Sequence, residues 1–159
     1  MFLILFRNVK ISLIGVIPNF IAAFSILGLI GLLNIPLDMM TITIAAITIG
    51  IAVDNSIHYI YRFIEEFKYK QNYNEVIKIC HSSVGVAILN TSITIVFGFS
   101  ILVLSNFIPT IYFGIFTGIA MLLAMLLVLS LLPALITLIK PFGIETVSYT
   151  HLRAHETRT

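Results

Sequence analysis

Four long apolar stretches constrain this chain more than any other feature of its sequence. Hydrophobic residues make up 59% of the 159 residues and charged residues only 10%, whereas soluble domains contain far more charge. A helix needs about 20 apolar residues to cross a bilayer, and only helices or closed barrels can span it. None of the stretches alternates polar and apolar residues as a barrel strand does. We therefore predict an all-α membrane protein with transmembrane helices at 11–33, 41–61, 84–104 and 111–139.

Lysine and arginine are distributed unevenly between the loops. Apart from Arg153 and Arg158 in the last thirteen residues, the seven Lys and Arg residues lie before the first stretch, between the second and third, or directly after the fourth, and the other two loops contain none. Because an excess of these residues marks the cytoplasmic side, we expect both ends and the central loop to be cytoplasmic, in a bacterial inner membrane. Charged and apolar residues mix in 64–82, a pattern that predicts an interfacial helix.

The two ends of the sequence differ from the rest. The run FLILF at 2–6 is typical of the cytoplasmic end of a preceding helix, so we expect a fragment of a longer protein. The text at 147–159, VSYTHLRAHETRT, resembles the translation of a common transposase sequencing adapter. We treat it, with His151 and His155, as non-native. The domain expected is therefore 1–146.

Asp54 is the only carboxylate inside the four stretches. Arg62 marks the cytoplasmic edge of its helix, and a rise of about 1.5 Å per residue places Asp54 roughly 12 Å inward, near the middle of the bilayer. A charged aspartate there costs at least about 2.5 to 3.5 kcal/mol, and loss of hydration favours the protonated form of a carboxyl group. We therefore expect a buried Asp54 that gains and loses a proton. A static, hydrogen-bonded Asp54 is the alternative.

Polar residues near Asp54 in the sequence suit a proton relay. Gly50, Asp54 and His58 are spaced four apart and share one stripe of the helix. Gly50 leaves space beside the carboxylate, and His58 lies one turn nearer the cytoplasm with a side chain that exchanges protons near neutral pH. Asn55 and Ser56 add hydrogen-bonding groups. An interfacial role for His58 is left open.

A polar cluster lies at a similar predicted depth on the third stretch: Asn90, Thr91, Ser92 and Thr94. These residues are candidate partners for the carboxylate or for a short water chain, and ordinary interhelical hydrogen bonding is the alternative. On the fourth stretch, Gly114 and Gly118 form a small-xxx-small pair that allows a neighbouring helix to approach closely.

Several classes of function have no support in the sequence. Asp54 and His58 lack the further ligands of a metal site, and the lone Cys80 excludes a disulfide framework. No nucleophile with a positioned base is visible, so we expect no enzyme activity and no cofactor other than protons as coupling ion. The net charge of +2 does not suggest nucleic acid as a partner.

Motifs in order along the chain resemble one family. GIAVDNSIHYIYRF at 50–63 is similar to the G-x-x-V-D signature, followed by I-H and R-F, of resistance-nodulation-division transporters, in particular the MMPL and sterol-sensing-like hydrophobe exporters. FRN, VIPN, GLLNIPLD, GFSILVLSNFIP, FG and LLPAL match the surrounding helices. The resemblance implies four helices of a six-helix half, more similar to the C-terminal half, with Asp54 as the proton-relay aspartate. Asn55 stands where some relatives carry a second acidic residue.

The same resemblance implies proton-coupled export of lipids or other hydrophobic compounds. Its implied partners are membrane lipids, a second transmembrane half and extracytoplasmic domains of the same protein, with a homo-oligomer left open. One alternative is a sterol-sensing-like lipid-binding regulatory domain without transport. Another is a SecF-like translocation subunit, from whose characteristic segment His58 and Tyr59 depart.

Overall fold

The computed structural model describes Phe6, 8–36 and 38–141. The helices are α1 (Val9–Leu32), α2 (Met39–Lys70), α3 (Tyr73–Cys80), α4 (Val86–Ser100) and α5 (Ile108–Ile139). A π-helical turn, His81–Gly85, joins α3 to α4, and a 3-10 turn, Ile101–Leu104, extends α4.

Within this described part, four helical segments are long and apolar enough to cross a membrane: α1, α2, the continuous run Tyr73–Leu104, and α5. The prediction of an all-α membrane protein with four spans is therefore confirmed. The expected helix end at 2–6, apart from Phe6, and the expected adapter tail at 147–159 lie outside the described residues.

The helix ends follow from local side-chain chemistry. At the start of α2, Asp38 Oδ1 accepts from Thr41 N and the Asp38 N–H donates to Thr41 Oγ1, both at 2.8 Å, which makes a reciprocal capping box. α2 ends at Gln71 in the left-handed conformation, and the Asn72 side chain caps α3. α5 begins with Pro109 in its first turn, where a missing N–H costs nothing.

The segment 64–82, predicted as an interfacial helix, is divided between two helices in the structure. The structure continues α2 through Lys70 and breaks the chain only at Gln71 and Asn72. Helical structure then runs without interruption from α3 into the third span. Nothing between Tyr61 and Lys70 stops a helix, and Phe67 packs on Tyr73 at 4.6 Å between ring centroids, which fixes the turn.

α5 is the central helix of the bundle. It packs against α1, α2 and α4, and α1 also packs against α2. Where α1, α2 and α5 meet, Ala22, Ala52 and Ala124 form a buried cluster of small side chains that lets the helices approach closely. Larger apolar clusters fill the bundle on both sides of it. α4 contacts mainly α5 and leaves most of its surface uncovered by this chain.

Candidate functional site

Asp54 and His58 lie together on α2, as their spacing predicted. His58 Nε2 is 3.5 Å from Asp54 Oδ1, one helical turn apart. The expectation that Asp54 is buried is wrong for this chain taken by itself, because the Asp54 side chain is 69% exposed and the His58 side chain 67% exposed. Asp54 is also close to the midpoint of the helix Met39–Lys70, far from either end. The pair therefore stands on a face of α2 that the described residues leave open.

Helix geometry explains why this face is open. α2 packs into the bundle through a stripe that includes Thr48, Ala52, Ser56 and Tyr59, all fully buried. At 3.6 residues per turn, a residue two positions from Ala52 and two from Ser56 points to the opposite side. Asp54 occupies that position, so packing of the apolar stripe turns the carboxylate outward.

Ser56 and Asn55 point into the bundle rather than beside the carboxylate. Ser56 Oγ donates to Asn19 Oδ1 of α1 at 3.2 Å, and Asn19 Nδ2 donates to Gly15 O at 2.8 Å. Asn55 is 7% exposed. Sequence reasoning missed Asn19, although a lone asparagine inside an apolar span is a signal for a buried hydrogen bond. These contacts make a neutral, self-contained polar layer between α1 and α2.

The polar cluster of α4 does not contact Asp54. Thr91 Oγ1 donates to Ala87 O and Thr94 Oγ1 to Asn90 O, both at 2.9 Å within α4. α2 and α4 flank α5 and are not packed side by side. The expectation that Asn90, Thr91 and Thr94 partner the carboxylate is therefore not met among the described residues. Each hydroxyl is satisfied by its own helix, while the side chains stay exposed.

The three glycines singled out for close packing differ in their surroundings. A Cβ atom on Gly114 would lie 2.7 Å from Phe99 O and 2.9 Å from Leu102 Cβ, so α5 approaches the end of α4 too closely for a side chain. At Gly118 the nearest atom would be Val96 Cγ1 at 3.9 Å, an ordinary contact. A Cβ on Gly50 would meet nothing within 4 Å, because Gly50 lies on the open face with Asp54.

A second polar site lies nearer the predicted cytoplasmic end and was not anticipated from the sequence. His81, at the start of the π-helical turn, has Nδ1 3.0 Å from the Tyr59 hydroxyl of α2 and Nε2 3.0 Å from the Leu129 carbonyl of α5. The available signal was Pro133, which stands four residues after Leu129 and cannot donate to its carbonyl.

The two side chains at Asp54 and His58 are groups capable of acid–base chemistry. No group of three or more His, Cys, Asp and Glu side chains converges within the described residues. Asp54 and His58 would provide only two ligands to a metal ion. What the pair can do is accept, share and release a proton at mid-helix depth.

Helices of this length and composition, with an ionisable pair midway along one of them, define a multi-pass membrane protein. The sequence matches the model of the MMPL family over residues 1–155, and the chain belongs to that family. A relative from Methanocaldococcus jannaschii, whose name describes it only as a membrane protein, is 33% identical over 136 residues, which cover 86% of this chain. The match spans 35% of that relative's length. No solved structure matches the chain.

Proposed function

We propose that this chain is the proton-relay transmembrane part of a proton-coupled exporter of lipids or other hydrophobic compounds. Asp54 carries the coupling proton, and His58 passes it toward the cytoplasm. The observation that carries the proposal is the Asp54–His58 pair, 3.5 Å apart and midway along a membrane-length helix. Membership of the MMPL family supports a transporter-like role.

The exposure of Asp54 sharpens this proposal. A carboxylate at the bilayer centre that faced lipid would cost at least about 2.5 to 3.5 kcal/mol when charged. Charged residues at that depth face protein or a water-filled cavity in membrane proteins. The open face of α2 therefore belongs against another part of the full-length protein. The M. jannaschii relative, of which the match covers 35%, has ample chain to provide such a part.

The proton would act by changing which surroundings α2 prefers. Protonation from outside neutralises Asp54 and suits a dry contact, whereas release past His58 restores the charge and favours a hydrated one. One charge that crosses 100 mV is worth about 2.3 kcal/mol, enough to shift a two-state equilibrium more than tenfold. This energy would drive movement of α2 against the part of the full-length protein that covers its open face, which we call the covering segment. In this proposal both ends of the chain are cytoplasmic, an orientation that the distribution of Lys and Arg favours.

The test is proton uptake and substrate export by the full-length protein in liposomes with the substitution Asp54→Asn. The variant keeps the size of the side chain and removes its titration, so we expect both activities to fall by at least about tenfold. Asp38→Asn is the matched control, because Asn caps a helix as well as Asp does and Asp38 is the N-cap of α2, sixteen positions before Asp54. Wild-type export and proton flux in Asp54→Asn would show that the relay proposal is wrong.

A second candidate function is lipid binding for regulation without transport. An apolar cavity between the α1–α2 loop and the start of α5 favours it, with Ile35, Pro36, Ile44, Pro109 and Phe113 among its lining residues. A protein of this kind would bind lipid in liposomes but would not carry protons across the membrane. The liposome measurement with the wild-type protein therefore separates the two functions before any substitution is made.

A further inference from the structure

The Leu129 carbonyl of α5 lacks its normal partner inside the helix. In an α-helix this oxygen accepts from the N–H four residues later, but that residue is Pro133, which has no N–H. His81 Nε2 lies 3.0 Å from the Leu129 oxygen. Because a carbonyl oxygen can only accept, the contact assigns a proton to Nε2. His81 thus replaces the hydrogen bond that the proline removes.

The other nitrogen of the same ring has a choice of partners. His81 Nδ1 is 3.0 Å from the Tyr59 hydroxyl and 3.0 Å from the Ile77 carbonyl. In the neutral ring, Nδ1 accepts from the Tyr59 hydroxyl. In the protonated ring, Nδ1–H donates either to Ile77 O or to the Tyr59 oxygen, and the Tyr59 hydroxyl no longer donates to Nδ1. The site therefore offers a hydrogen-bond partner to both protonation states without breaking the contact to Leu129.

The packing fixes the ring in this position. Tyr59 is fully buried and meets the His81 ring edge-on, with 5.7 Å between the ring centroids and 85° between the ring planes. The π-helical turn that begins at His81 inserts one extra residue per turn and re-aims the side chains around it, a feature that is frequent at functional sites.

Few other ionisable groups surround the ring. α4 contains none, and α5 contains only Tyr112, far along the helix toward its other end. α3 carries Glu75 and Lys78, which are exposed, and the buried Tyr73 and Cys80, of which Cys80 is adjacent to His81. On α2, Arg62 forms ion pairs with Glu65 and Glu66, so that its charge is already compensated. Tyr59 is the ionisable side chain in direct hydrogen-bond contact with His81.

We propose that His81 is a positioning residue that joins α2 to α5 at the carbonyl left free by Pro133 and takes up a proton at Nδ1. The Nε2–H bond to Leu129 O ties α5 to His81 at the carbonyl that Pro133 leaves without a helix partner, and protonation of Nδ1 ends the donation from the Tyr59 hydroxyl. The pH on the cytoplasmic side would thereby change the hydrogen bonding of a residue that contacts both α2 and α5. The role of His81 in proton-coupled transport rests on the proposed function. The hydrogen bonds of His81 do not, since they do not involve Asp54.

Solid-state NMR of the full-length protein in lipid bilayers, labelled with ¹⁵N-histidine, tests the protonation pattern. The His81 signals are identified by their loss in His81→Gln. Between about pH 5 and pH 8, the range in which histidine normally titrates, we expect Nε2 to stay protonated while Nδ1 gains its proton as the pH falls. Tyr59→Phe should move the Nδ1 signal of the neutral ring and leave Nε2 protonated. A neutral ring protonated on Nδ1, a ring that does not titrate, or an Nδ1 signal unaffected by Tyr59→Phe would overturn the proposal.

A double-mutant cycle tests the link to the proline. His81→Phe should lower the thermal midpoint of the full-length protein by roughly 2 to 4 °C, since the hydrogen bonds to the part-buried Leu129 carbonyl and to the Tyr59 hydroxyl are lost. In the Pro133→Ala background the residue 133 N–H can serve Leu129 O, so only the loss at Tyr59 remains and the shift should be smaller. Pro18→Ala, which replaces the proline of α1, is the control and should leave the His81→Phe shift unchanged. If His81→Phe does not fold, His81→Gln enters the same cycle. Equal shifts in the wild-type and Pro133→Ala backgrounds would contradict the proposal, whatever the outcome at Asp54.

Discussion

The two faces of α2 carry polar groups at nearly the same depth, and the chain treats them in opposite ways. Ser56 is fully buried and donates to Asn19 of α1, so the inner face is neutral and closed by hydrogen bonds. Asp54, two residues earlier, is 69% exposed, and among the described residues its ion-pair partner is His58. The neutral polar groups are satisfied within the bundle. The ionisable pair is left open by the described residues, and in the proposed function another part of the full-length protein covers it.

The largest expected effect comes from a pair of variants, one on each face of α2. Asp54→Asn should reduce proton uptake and export at least about tenfold and leave the thermal midpoint of the full-length protein nearly unchanged, because no contact inside the bundle is lost. Ser56→Ala should do the reverse: near-normal export, with a loss of about 0.6 to 1.7 kcal/mol of stability, the range for interhelical hydrogen bonds in membranes. Liposome flux and thermal unfolding measure the two. If Ser56→Ala abolished flux at wild-type stability, the distinction between the faces would fail.

A second contrast concerns glycines on closed and open surfaces. Gly114→Ala places a methyl group 2.7 Å from Phe99 O and 2.9 Å from Leu102 Cβ, so helices α4 and α5 must separate. Overpacking of this kind costs about 1 to 3 kcal/mol. Gly50→Ala meets no atom of the described residues within 4 Å beyond its own stretch of helix and should not destabilise the bundle. Thermal unfolding of both variants checks the expectation.

The outcome at Gly50 also bears on the open face. If Gly50→Ala lowers export while the bundle keeps its stability, the covering segment approaches α2 closely at this position. A loss of stability in the full-length protein equal to that of Gly114→Ala would place Gly50 in a permanent interface and would argue against a face that opens and closes.

Hydropathy predicts the four spans well, because only helices satisfy the backbone across that length of lipid. Helical spacing likewise brought Asp54 and His58 together. Which side of α2 packs into the bundle could not be predicted from the sequence, because Ile and Ala occur on both sides of the helix. The expected contact between Asp54 and Asn90 failed because α5 lies between their helices, which is a property of the packing.

The hydrogen bond of His81 illustrates the same limit over a longer distance. It joins residues 48 positions apart in the chain. Pro133 shows in the sequence that the Leu129 carbonyl is free, but not which side chain reaches it. Long-range partners of this kind depend on how helices pack, and periodicity within one helix carries no information about them.

The smallest effect is expected at His58, and its size is informative. His58 is 67% exposed and 3.5 Å from Asp54, so water that enters the open face can take its place as a proton acceptor. His58→Gln should therefore slow proton release by a few-fold, without the loss expected for Asp54→Asn, and should leave thermal stability unchanged. Stopped-flow measurement of proton release from liposomes, with Asp38→Asn as control, gives the comparison. A complete block in His58→Gln would mean that no water reaches the pair. The covering segment would then have to seal the face, and Asp54 would depend on His58 as its sole exit toward the cytoplasm.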